Sequence, residues 1–89
     1  MATGSVIVEF FGVPRLRAGR AEVAVPAGCV REVLAAVVAA CPNLSDLIAG
    51  SRVSPHYLLS LDGRAFVTTL EEAVPAGSRV LLLSADAGG

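Results

Sequence analysis

The chain of 89 residues contains no lysine and no tryptophan, and its seven basic residues are all arginine. Without lysine there is no P-loop amine to hold phosphates and no amine to form a Schiff base. The chain also has no side-chain amine of its own on which to accept an acyl group. Three Phe, one Tyr and a net charge of −1 are too few aromatics and too little positive charge for a nucleic-acid surface. His56 is the one histidine, and Cys29 and Cys41 are the two cysteines. These three residues could supply an incomplete zinc set at best, at none of the usual spacings. The two thiols also fall short of the full set that a [2Fe–2S] cluster takes. Any Ser-His-Asp or Cys-His arrangement would have to use His56, which sits beside Pro55 at the start of a strand and reads as a surface or capping residue. No catalytic residue and no metal site are therefore expected.

Long apolar runs are missing too. The longest, Val33 to Cys41, is too short to span a bilayer, and no basic segment precedes an apolar stretch as in a signal peptide. Cys29 and Cys41 fall twelve positions apart on what reads as one helix. That separation is about 18 Å, beyond disulfide reach. A cytoplasmic location with reduced thiols and no membrane partner is expected. With 54% hydrophobic and 17% charged residues, the chain has the composition of one folded core. A mean hydropathy of +0.68 without a membrane span implies apolar surface left over for a partner.

What is present is ordered clearly. Val6-Ile7-Val8-Glu9-Phe10-Phe11 reads as a strand closed by Gly12 and Pro14. Arg15 to Arg20 reads as a polar link, and Glu22 to Val25 as a second strand pairing back on the first. Val30, Val33, Leu34, Val37, Val38 and Cys41 fall on one face of an α-helix. Cys29 stands at its N-cap position with Glu32 three residues on, as in a capping box, and Pro42 stops it. Asn43 to Ile48 adds a helical turn that could bury Leu44, Leu47 or Ile48, and Gly50 to Pro55 reads as a loop. Tyr57 to Leu61 is a third strand, turned by Asp62-Gly63 into Ala65-Phe66-Val67. After a linker over Thr68 to Val74, Arg79 to Leu83 is a continuous apolar strand of the kind buried on both faces at a sheet centre. The order β-β-α-β-β-β, with one helix laid over a mixed four- to five-stranded sheet, is an α+β, β-grasp arrangement. The expected division is a domain over residues 1–83 and a flexible tail over 84–89.

Isolated polar residues read as structural. Glu71 and Glu72 are adjacent rather than facing and suit a solvated turn. Arg15, Arg17 and Arg20 form a small basic edge on a solvated loop. Cys41 belongs to the helix stripe, and Cys29 has no partner that would activate it. The tail is different. Beyond Leu83, six small or polar residues end in Gly88-Gly89. Glycine has no side chain, so such an end can thread a narrow tunnel and present its carboxylate. A carboxylate is inert until activated. Adenylation would make it a mixed anhydride open to a sulfur nucleophile.

From residue 5 to the end, the sequence resembles the small ubiquitin-like sulfur carriers, the ThiS/MoaD family. The matching pieces are Phe10-Phe11-Gly12 with Pro14-Arg15-Leu16-Arg17, Cys41-Pro42-Asn43-Leu44, Leu61-Asp62-Gly63, and Val80-Leu81-Leu82-Leu83 leading to Ala87-Gly88-Gly89. The resemblance implies a protein cosubstrate rather than an enzyme. Its Gly89 would be adenylated by an E1-like adenylyltransferase that uses ATP, the carrier itself binding no cofactor. A sulfur donor would convert that end to a thiocarboxylate, and a sulfur-accepting biosynthetic enzyme would take the sulfur. Gly88 and Ala87 would thread the partner's tunnel, and Phe11, Phe66 and Leu83 would form the apolar interface. Strand alternation agrees for Phe11, which shares its face with Ile7 and Glu9. The receiving pathway stays open among molybdopterin, thiamin, cysteine and specialised-metabolite synthesis. Two other readings also stand. One is a protein modifier conjugated through Gly89, the other a β-grasp interaction module whose glycines are only an end.

Overall fold

The structure, a computed structural model, describes residues 4–85. Strand β1 (Ser5–Phe10) pairs antiparallel with β2 (Glu22–Pro26), joined through a short helix α1 (Val13–Ala18). A two-residue strand β3 (Gly28–Cys29) leads into helix α2 (Val30–Ala40), which Pro42 ends by opening a 3-10 turn over Pro42–Leu44. Strands β4 (Ile48–Ala49) and β5 (Arg52–Val53) make a small hairpin. The chain then enters β6 (Tyr57–Leu61) and β7 (Ala65–Phe66), passes β8 (Ala73–Val74), and returns as β9 (Arg79–Ser84). The main sheet has the order β2-β1-β9-β6-β7, with β9 parallel to β1 and antiparallel to β6. The last strand is central, as its apolar run predicts.

Helix α2 buries the expected stripe. Val30, Val33, Leu34, Val37 and Cys41 are buried, while Val38 is half-buried at the stripe's margin. They meet Val6, Val8, Phe10, Val80, Leu82 and Leu59 from one face of the sheet. Leu44 and Leu47 close the core beside them, and Ile48 is only half-buried. Glu32 reaches back to accept the Cys29 N–H at 3.0 Å, the acidic arm of the expected capping box.

The linker over Thr68 to Val74 has a definite task. Glu72 and Leu70 carbonyls accept from Val30 N (2.9 Å) and Arg31 N (2.9 Å), and β8 pairs with β3. The first amides of α2, which no intrahelical carbonyl can serve, thus find partners. Leu70 is fully buried beneath this segment, and Glu71 pairs with Arg31 at 2.8 Å.

Three expectations are corrected. Arg15 to Arg20 is no plain link, because Val13–Ala18 is helical. Gly12, at φ 64 and ψ −131, leaves β1 in a conformation that suits glycine, and Gly19 ends the helix in a left-handed cap. The stretch read as a loop from Gly50 holds β5 of the small hairpin. Finally, β9 is not buried on both faces. Val80, Leu82 and Ser84 are buried, but Leu81 and Leu83 are half-buried, since the one layer of helix covers one side only. The strand also runs one residue further than Leu83, and Ala85 N donates to the His56 carbonyl at 2.9 Å.

Candidate functional site

The uncovered side of the sheet leaves apolar side chains open, among them Phe11 and Phe66. Directly paired residues share a face, so the ladder registers define its rows. Leu58 pairs with Leu83, and the constant offset between β1 and β9 sets Phe11 beside Leu83. Phe11 N donates to Leu82 O at 3.0 Å, extending the pairing one step past β1. The next row runs Phe66, Ser60, Leu81, Glu9, Glu22, and the third joins Arg79, Ile7 and Ala24. Phe66 is 67% exposed and Phe11 39% exposed. Such aromatics cost solvation in the free protein and regain it against a partner.

The face is divided. Toward β2, Arg79 pairs with Glu9 at 3.0 Å and approaches Glu22 at 3.7 Å. Toward β6 and β7 the rows are apolar, apart from buried Ser60. Of the three interface candidates, Phe11 and Leu83 lie side by side. Phe66 stands in the neighbouring row, two strands from β9 and across Ser60. Leu58 and Leu81 complete the apolar area and were not among the candidates. In Tyr57-Leu58-Leu59-Ser60-Leu61 the single local sign that Leu58 faces outward is Ser60, which shares its face by alternation. Ala87, Gly88 and Gly89 lie outside the described residues.

At the end of β9 a second group of side chains gathers. Tyr57, paired with Ser84 across the ladder, donates its hydroxyl to Asp46 Oδ1 at 2.6 Å and accepts from Arg17 Nη1 at 2.6 Å. Arg17 Nη1 also donates to Asp46 Oδ2 at 3.2 Å. A cavity of about 320 Å³ opens here, lined by Val13, Arg17, Asp46, His56, Tyr57 and Ser84. The network pins α1 and the segment after the 3-10 turn to the start of β6. The Tyr57 hydrogen bond, helped by the Arg17 charge, holds the Asp46 carboxyl below its ordinary value of 3.8. Burial, reinforced by Asp46, pushes the Tyr57 phenol above its ordinary value of 10.0.

This network predicts a pH dependence. Asp46 titrates lower folded than unfolded, so its contribution is present above the unfolded value and lost as pH falls through the folded one. Tyr57→Phe should cost roughly 1 kcal/mol at neutral pH, the figure being modest because Asp46 and Arg17 are half exposed. Urea unfolding at several pH values should show this penalty shrinking in acid, below the ordinary carboxylate range. A penalty constant down to about pH 2 would mean that the hydroxyl acts through packing and not through Asp46.

His56 is exposed and its backbone amide is held by Ser54 Oγ at 3.3 Å, a turn position. Cys41 is buried in the core and Cys29 half-buried at the helix start, and both are free thiols. Among the described residues there is no cluster of His, Cys, Asp or Glu that could hold a metal ion, and no helix long and apolar enough to cross a membrane.

No family model and no curated protein matches the chain. Solved structures do. SAMP1 from Haloferax volcanii superposes with a TM-score of 0.77 at 27% identity, over 91% of this chain and 94% of that one. A chain of the Amycolatopsis orientalis BexX/CysO complex gives a TM-score of 0.80 at 21% identity, over 94% and 99% respectively. The fold is that of the ThiS/MoaD-like β-grasp proteins. A putative molybdopterin converting factor subunit 1 from Pyrococcus furiosus matches as well, at TM-score 0.75 and 21% identity, over 92% of this chain and 98% of that one. In this chain the parallel pairing of β1 with β9 sets the end of β9 beside Phe11.

Proposed function

We propose that this protein is a sulfur carrier whose Gly89 carboxylate is the working group. An E1-like enzyme would join that carboxylate to AMP, taking ATP and releasing pyrophosphate. Hydrosulfide from the sulfur donor then attacks the acyl carbon, the bond to AMP breaks, and a thiocarboxylate and a proton result. A biosynthetic enzyme would accept the sulfur. The chain contributes a handle and no catalytic group. The observation that carries this reading is the open apolar face, which converges on the end of the central strand that leads to Gly88-Gly89. A partner gripping Phe11, Leu58, Leu81 and Leu83 would hold the root of the tail in register with its own active site. Similarity to a putative molybdopterin converting factor subunit and to a BexX/CysO chain supports the same class.

The test is intact mass spectrometry after incubation with the E1-like enzymes of the source cell, ATP and a sulfide donor. The expected product gains the mass of sulfur in place of oxygen, and a chain lacking Gly89 does not. If every such enzyme leaves the mass unchanged, the plain interaction module replaces this reading. Similarity to SAMP1, small archaeal modifier protein 1, favours a second use of the same activated end, conjugation to amines on other proteins. Species joined by an isopeptide bond survive thiol reduction and would reveal it. The chain itself, having no lysine, would offer no side chain for such a bond.

A further inference from the structure

Helix α1 presents an apolar and basic surface that neither the core nor the open sheet face absorbs. Its inner side is fixed: Pro14 is buried, Ala18 half-buried, Arg17 held by Tyr57 and Asp46, and Asn43 Nδ2 donates to the Arg17 carbonyl at 3.4 Å. Its outer side carries Leu16, 81% exposed. A shallow groove of about 550 Å³ beside it is lined by Gly12, Arg15, Leu16, Gly19 and Arg20. From Phe11 to Ala21 there are three arginines and no acid, in a chain whose net charge is −1. Arg17 is neutralised by Asp46, whereas Arg15 and Arg20 form no ion pair among the described residues.

We infer that this groove is a docking site for an acidic segment of a partner protein, one that carries carboxylates on either side of an apolar side chain. The charge pattern selects that occupant. Arg15 and Arg20, neither in an ion pair among the described residues, line the groove together with the exposed Leu16, a set that a Glu- or Asp-flanked leucine complements, with arginine able to bind each carboxylate through paired N–H groups. The glycines at both ends of α1 bring backbone without side chains to the groove wall, leaving room for the incoming chain. Two free charges supply little counterion release, so a nucleic acid gains little here. Because α1 is anchored by Pro14 and Arg17, its backbone is preorganised, and the ordering cost of binding falls on the Arg15, Leu16 and Arg20 side chains. The site is distinct from the sheet rows and requires no particular chemistry at the tail.

The test is an amide-shift NMR titration of the whole protein with a capped peptide of leucine interleaved with glutamate, and with its glutamine counterpart. Shifts confined to residues 12–20 are expected, with affinity falling roughly tenfold in R15E/R20E and falling with added salt. Leu16→Ser should weaken binding by a similar factor while leaving the remaining amide spectrum in place, since Leu16 buries almost nothing. Equal binding of the glutamine peptide, shifts spread over the open sheet face, or no shift at millimolar peptide would each overturn the inference. So would selective broadening of the same amides by phosphatidylserine vesicles with no peptide response, which would assign the surface to membrane. The readout is binding alone, so failure of thiocarboxylate formation leaves the result standing and its success does not stand in for it.

Discussion

Deleting Gly89 should lower thiocarboxylate formation by at least about a hundredfold without changing the stability of the fold. Losing one residue draws the carboxylate back by about 3.5 Å in an extended tail. Misplacement by about 1 Å already costs on the order of a hundredfold where a reacting group must meet a fixed active site. Stability should not follow, because the described core and the β9 ladder are complete by Ser84. Gly89→Ala tests the other half of the idea, since it keeps the length and adds one methyl. If the tunnel is narrow, Gly88→Val should block the reaction as fully as the deletion does, with the carboxylate still at its proper reach. Single-turnover AMP formation, read beside a thermal melt, separates these effects. Full activity in both the deletion and Gly88→Val would remove the working role of the tail, leaving an interaction module.

Most of the frame was legible because the strongest signals were long. Helix α2 spans three turns of regular apolar spacing, and Asp62-Gly63 is a turn with a physical requirement. Asp62 and Gly63 both adopt positive φ, 56 and 71, which the dipeptide tolerates, and Asp62 also accepts the Arg79 amide at 2.8 Å. Helix α1 was illegible to periodicity, since six residues cannot display a repeat. Its signal lay in its ends, with proline at the start and glycine just past the last residue. The alternation of β9 was hidden for another reason. Val80 and Leu82 face the helix while Leu81 and Leu83 face outward, yet all are apolar. A run of that kind suits burial on both sides, and only the presence of one helical layer decides otherwise. The same surplus of hydrophobicity that misled the strand reading is the apolar face available to a partner. Arg17, Asp46 and Tyr57 are far apart in sequence, and nothing local announces that the fold brings them together.

The adjacent phenylalanines at the end of the first strand, Phe10 its last residue and Phe11 the next, offer the sharpest contrast. Phe10 is fully buried, in register beside Leu82, while Phe11 is 39% exposed beside Leu83. Phe10→Ala removes a filled part of the core and should cost about 3–5 kcal/mol. A domain of this size has on the order of 4–13 kcal/mol in all, so this variant should lie close to unfolding. Phe11→Ala leaves no internal cavity, and its loss of stability should stay below about 1 kcal/mol. Its effect belongs to binding. As an exposed aromatic beside Leu83 it should weaken the activating enzyme's hold about tenfold or more, seen as a raised KM for the carrier with kcat little changed. Urea midpoints and adenylation kinetics on the same two variants give both readouts. Equal losses of stability would mean that the Phe11 side of the sheet is covered within the molecule, and the interface would then have to be sought elsewhere. A stable Phe11→Ala protein with an unchanged KM would leave the sheet open but remove Phe11 from the contact, leaving Leu58, Leu81 and Leu83 to carry it.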